Sequence, residues 1–150
     1  MPRARPPAAA WLASAEDAEA QFYEAMRNGD IEQLMAVWAD DEDIVCVHPG
    51  GARLVGPAAI RASFGEILGE SAVPVQPEQV RRLQTSETAV HHLVERVGVM
   101  TAEGPRTAWA LVTNVYLKTS TGWRMVAHHA SPGQLGEAPP AIGDAPSTLH

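Results

Sequence analysis

From residue 72 onward the chain alternates with a period of two in four long segments, about 73–84, 88–101, 106–118 and 123–131. The turns between them carry Thr85-Ser86-Glu87, Glu103-Gly104-Pro105 and Thr119-Ser120-Thr121-Gly122. Strands this long exceed the usual five or six residues and predict a strongly twisted, curved antiparallel sheet. In residues 107–117 both alternating sets are largely apolar: Trp109, Leu111, Val115 and Leu117 on one side, Ala108, Ala110, Val112 and Tyr116 on the other. An antiparallel sheet with one wet face would alternate apolar with polar, so this pattern predicts cover on both faces. A second copy of the chain is the simplest cover for the outer face, and a homodimer through that face is expected.

The first half has the helical period instead. Ser14 is placed as the N-cap of a first helix carrying Ala18, Phe22, Ala25 and Met26, which Gly29 stops. Asp30 caps a second, short helix with Ile31, Leu34, Met35 and Trp38 on its buried side. Asp40-Asp41-Glu42-Asp43 reads as a solvated turn, followed by a short strand Ile44-Val45-Cys46-Val47-His48 and a Pro49-Gly50-Gly51 turn. Pro57 opens a third helix that should bury Ile60, Phe64, Ile67 and Leu68. Helices followed by a meander give an α+β class, a curved antiparallel sheet wrapped around three N-terminal helices. Prolines concentrate at the two ends, so residues 1–13 and 134–150 read as arms around a single domain at 14–133.

Charge narrows the partners. With 11 Lys+Arg against 18 Asp+Glu the net charge is -7, which disfavours nucleic acid and anionic membrane, both of which require clustered cations. No run approaches the roughly 20 apolar residues of a membrane span. The single cysteine, Cys46, excludes an intramolecular disulfide and a multi-cysteine zinc site, and a cytoplasmic location is expected.

Four motifs in order carry a family resemblance: Arg27-Asn28-Gly29-Asp30, Val37-Trp38-Ala39-Asp40-Asp41, Gly56-Pro57-Ala58-Ala59-Ile60-Arg61, and the closing Gly122-Trp123-Arg124-Met125-Val126-Ala127-His128-His129-Ala130-Ser131. Over residues 14–133 the chain resembles the nuclear transport factor 2-like superfamily, and within it SnoaL-like domains. The resemblance implies a cone-shaped domain with a deep pocket closed by the helices, and a dimer. It implies no single activity, because the fold hosts isomerases, dehydratases, cyclases and non-catalytic modules.

Within that frame, His48 before Pro49 matches the place of the general-base aspartate of ketosteroid isomerase-like members, and histidine suits proton transfer near neutrality. The phenolic donor position of that family falls on Phe22, with Tyr23 adjacent, and residues 106–118 hold no carboxylic acid to act as second oxyanion donor. Steroid isomerisation is therefore not expected. Nor is the Asp-Arg-Asp trio of the epoxide hydrolase relatives: Glu95 and Arg96 are strand neighbours and face opposite sides. The closing strand is also similar to the association domain of calcium/calmodulin-dependent kinase, a comparison that puts His128 in the pocket and Asn114 in place of a pocket arginine.

The histidine pairs His91/His92 and His128/His129 each send one member inward, and which one depends on hairpin register. No spacing sets two histidines on one face as metal ligands, so no metal and no cofactor is expected. His48 and His128 are the candidate catalytic residues, and Phe22, Met26, Trp38, Phe64, Trp109, Asn114 and His129 the candidate pocket lining. The reading is a pocket for an unidentified small molecule, with acid–base chemistry of the isomerase, dehydratase or cyclase type on an apolar substrate. The alternative is a non-catalytic ligand-binding or dimerisation module.

Overall fold

A computed structural model describes residues 11–143; of the expected arms at 1–13 and 134–150, residues 1–10 and 144–150 lie outside the described residues. Three helices, α1 (Ala15–Asn28), α2 (Ile31–Met35) and α3 (Pro57–Glu70), pack on one sheet of six strands. The strands are β1 (Val45–Val47), β2 (Arg53–Val55), β3 (Val75–Gln84), β4 (Thr88–Thr101), β5 (Gly104–Thr119) and β6 (Gly122–Leu135), arranged in the order β2-β1-β6-β5-β4-β3. The fold is α+β, a curved open sheet around three helices.

The local signals act as expected. Ser14 Oγ accepts from the Asp17 N–H at 3.0 Å and starts α1. Gly29 ends it at φ 67°, a left-handed conformation that costs glycine nothing. Asp30 Oδ1 accepts from the Gln33 N–H at 3.0 Å and starts α2. The carboxylate run Asp40–Asp43 is an exposed turn.

The sheet departs from a pure meander at one place. β1 lies parallel to β6, Cys46 opposite His128, and β2 closes an antiparallel edge beside it. The strand β2 is short and exposed, and its Arg53-Leu54-Val55 carries too little alternation to be legible in the sequence. Register shifts at Glu78/Arg81, Ala108/Ala110 and Val115/Tyr116 bend the long strands, because an unpaired extra residue sharpens the local twist. That curvature lets the four hairpin-linked strands β3 to β6 wrap around α1.

The inner face carries Ala89, His91, Leu93 and Glu95 from β4, Val112, Asn114 and Tyr116 from β5, and Met125, His128 and Ala130 from β6, all buried. Phe22, Tyr23 and Met26 of α1 and Ile60, Phe64 and Leu68 of α3 close over them. Ile67 differs from expectation: it is 36% exposed, one position off the buried stripe. Leu12, just before α1, is buried and pairs with Gly122. A Cβ on Gly122 would stand 2.7 Å from the Leu12 carbonyl oxygen, so this approach requires glycine.

On the outer face the cover is partial in the single chain. Val94 is only 4% exposed there; it lines a hollow of about 350 Å³ together with Pro139 and Ala141 of the C-terminal segment. Leu111 remains 42% exposed. Among the described residues no helix is long and apolar enough to cross a membrane.

Candidate functional site

The concave face holds a row of polar side chains across four strands. Strand register sets His91 beside Asn114, Asn114 beside His128, and His128 beside Cys46. His91 and His128 are thus the inward members of their pairs, and His92 and His129 are exposed on the outer face. Trp109 stands half-buried on that outer face as well, two residues from Leu111. Neither Trp109 nor His129 reaches the interior, because strand alternation decides which side a residue takes: Trp109 pairs with Arg96 across β4–β5 and His129 with Thr113 across β5–β6, both outward positions.

Three hydrogen bonds run through this row in one direction. His128 Nδ1–H donates to Asn114 Oδ1 at 2.6 Å, Asn114 Nδ2–H to the Tyr23 hydroxyl at 3.0 Å, and the Tyr23 O–H to Glu95 Oε2 at 2.8 Å. Donors aligned head to tail polarise one another, and the chain delivers its positive ends to Glu95. His128 then presents an unprotonated Nε2, 3.9 Å from the same Glu95 oxygen. Apolar groups surround this chain: the Phe22 ring lies 5.2 Å from the His128 ring and the Phe64 ring 6.4 Å from it.

Burial sets the charge states. It pushes the Glu95 carboxyl up to about 7, against the opposing pull of the Tyr23 hydrogen bond. It pushes His128 down to about 3, with His48 and His129 adding to the effect, so the imidazole is neutral at pH 7. Burial also raises Tyr23 well above the usual phenol range and Cys46 to about 12, so both keep their protons. Among these interior groups Glu95 is the one whose proton comes and goes near neutrality.

His48 flanks the cluster. Its Nε2 lies 2.8 Å from Ser63 Oγ on α3 and 3.9 Å from Cys46 Sγ, and its ring stands 6.5 Å from that of His128. The Phe64 ring, 4.9 Å away, holds it edge-on, and burial lowers its pKa. His48 and Ser63 are half-buried, on the more open side of the cluster.

Of the residues read from the sequence, His48, His128, Asn114, Phe22 and Phe64 come together here. Met26 lies in the core beyond them, and Trp38, just past the end of α2, packs edge-on against the Phe22 ring at 6.4 Å while its other side lines two hollows. Two central residues escaped the sequence reading. Tyr23, not Phe22, supplies the phenolic hydroxyl, because both α1 side chains point inward and only one carries oxygen. Glu95 supplies a carboxyl from β4, outside residues 106–118 where the family places its second donor; an acidic residue at an inward position among Ala89, His91 and Leu93 was the available signal. Among the described residues no group of three or more His, Cys, Asp or Glu is placed to hold a metal ion.

The sequence profile of the SnoaL-like domain matches residues 15–134. The chain belongs to the SnoaL-like domain family. A candidate calcium/calmodulin-dependent protein kinase type II association domain from Thiobacillus denitrificans is 34% identical to this SnoaL-like chain, with a TM-score of 0.74, over 83% of this chain and 98% of that one. A candidate dehydratase of the nuclear transport factor 2-like family from Streptomyces avermitilis is 28% identical, with a TM-score of 0.71, over 79% of this chain and 93% of that one. A nuclear transport factor 2-like protein of unknown function from Pseudomonas putida, 20% identical with a TM-score of 0.67, covers 84% of this chain and 94% of that one and shares the fold. No protein of curated function matches the sequence.

Proposed function

We propose that this SnoaL-like domain binds an apolar, cyclic small molecule in its cone and moves a proton on it. The observation that carries the reading is the hydrogen-bonded chain from His128 through Asn114 and Tyr23 to Glu95, enclosed by Phe22 and Phe64. In this reading Glu95 is the proton-carrying group, His128 the neutral acceptor beside it, and Tyr23 the hydroxyl that steadies charge on Glu95 or on a substrate oxygen. His48, oriented by Ser63, is the second acid–base group. This transfers the main role from His48, where the sequence alone placed it, to Glu95. Resemblance to the Streptomyces dehydratase supports an elimination or isomerisation as the reaction type.

The test is proton exchange at carbon. Cyclic ketones and enones incubated with the protein in deuterium oxide are expected to gain deuterium beside the carbonyl, followed by NMR. Glu95→Gln should slow this by about 10²-fold or more, the usual worth of a positioned general base. Exchange at the buffer rate with the parent protein, or an equal rate with Glu95→Gln, contradicts the reading.

The outer face supports a second role as an association module. Leu111, Thr113, His92 and His129 line a hollow of about 510 Å³ there, next to half-buried Trp109 and Val115. The relationship at 34% identity to a candidate association domain points the same way. A homodimer through this face would cover the residues that the C-terminal segment leaves open. Leu111→Glu is expected to convert a dimer at micromolar concentration to a monomer, read by light scattering after gel filtration. A monomeric parent chain would end this part of the proposal.

A further inference from the structure

A second hollow, unconnected with the polar row, lies where the β5–β6 turn at residues 119–122 meets the loop that follows α2. Its volume is about 540 Å³. The strand register Leu117 opposite Arg124 places both on the outer side of the sheet, six residues along β5 from Leu111, or about 20 Å. It therefore lies on the same outer side as the hollow around Leu111, toward the other end of the strands, and shares no lining residue with it.

Arg124 is the unusual element. It is only 8% exposed, yet its one hydrogen bond among the described residues is a long one, 3.4 Å, to the carbonyl of adjoining Trp123. A guanidinium has five donors in a rigid fork, and arginine is almost never this buried without an acid opposite it. Burial lowers its pKa, the signature of a cation short of compensation. Asp40 and Asp41 line the same hollow, but neither forms an ion pair with it; Asp41 Oδ1 is occupied by the Asp43 N–H at 2.8 Å. Leu117 and Val126 supply an apolar wall between the two poles.

One hollow thus offers an unpaired cation on one wall, two carboxylates on another, and apolar surface between. A phosphate or other multiply charged anion would meet Asp40 and Asp41, on a chain whose net charge is already -7. We propose that the hollow binds a small zwitterion, a carboxylate and an ammonium on one short frame with an apolar side chain, an aliphatic α-amino acid being the simplest case. Arg124 takes the carboxylate as a bidentate fork, Asp40 and Asp41 take the ammonium, and Leu117 and Val126 contact the side chain.

Three matched probes test this on the full chain by ¹H–¹⁵N NMR: L-leucine, 4-methylpentanoate, which lacks the ammonium, and 3-methylbutylamine, which lacks the carboxylate. L-leucine is expected to shift the resonances of Ser120, Thr121 and Arg124 saturably, and each single-charge probe to bind about tenfold or more weaker. Arg124→Gln should abolish the L-leucine shifts. Because that variant removes a buried side chain, Asp40→Asn with Asp41→Asn is the second arm: both positions are exposed, the fold should persist, and affinity for L-leucine should fall about tenfold while that for 4-methylpentanoate does not. No saturable shift with L-leucine or any other aliphatic amino acid at about 10 mM overturns the proposal. So does equal binding of 4-methylpentanoate, which would mark a plain anion site, or L-leucine affinity unchanged in the double aspartate variant.

Discussion

As pH falls from about 6.5 to 3, the parent chain is expected to lose about 5 kcal/mol of stability that His128→Gln does not lose. His128 is fully enclosed, and its pKa lies near 3 in the fold against 6.5 when exposed. The unfolded chain therefore takes up a proton on this ring at a pH where the folded chain refuses it. A depressed pKa in the fold means stability that is complete above 6.5 and drains away as pH falls toward the folded value. The loss is one-sided because His128 Nδ1–H is committed to Asn114 and Nε2 has only Glu95 within reach, at 3.9 Å. Urea melts of parent and variant at matched pH values isolate the effect: the variant's fixed cost cancels when the pH slopes are compared. Parallel slopes would show that the imidazole is charged, or hydrated, inside the fold.

Glu95 produces the opposite dependence. Its carboxyl is raised from 4.5 to about 7, so the unfolded chain gives up the proton first and the fold loses stability as pH rises through that window. The difference corresponds to about 3 kcal/mol, fully present as a cost above pH 7 and absent below about 4.5. Glu95→Gln keeps an oxygen for the Tyr23 hydroxyl and removes the ionisation, so above neutrality it is expected to be more stable than the parent, and near pH 4 to have lost that advantage. Urea melts at about pH 8.5 and 4 read this directly. The same advantage at both pH values would mean that Glu95 does not titrate in this window. A carboxyl kept at the expense of stability is what an acid–base site costs a small domain.

These two residues also mark what the sequence could and could not disclose. The long strands, three helices and their caps were legible, because period and capping chemistry are local. His48, Asn114 and His128 entered through the family resemblance, and of the site residues only Phe22 and Phe64 were legible as interior from the local period. The inward choice of His128 over His129 was not, since one residue of register reverses it and a bulge at Val115/Tyr116 lies only a few residues away. Tyr23 and Glu95 were missed because their hydrogen bond links α1 to β4 across 72 positions, and no local pattern encodes that pairing. The parallel β1–β6 contact, which sets Cys46 beside His128, was hidden for the same reason.

The central claim is that Glu95, in a buried hydrogen-bonded chain, carries a proton that exchanges near neutral pH. Its most direct test is a ¹³C NMR titration of the Glu95 side-chain carboxyl in the intact protein. The account predicts a midpoint near 7, and a higher one in Tyr23→Phe, where the hydrogen bond favouring the ionised form is gone. A midpoint in the ordinary carboxylate range, near 4.3, unmoved by Tyr23→Phe, would contradict it.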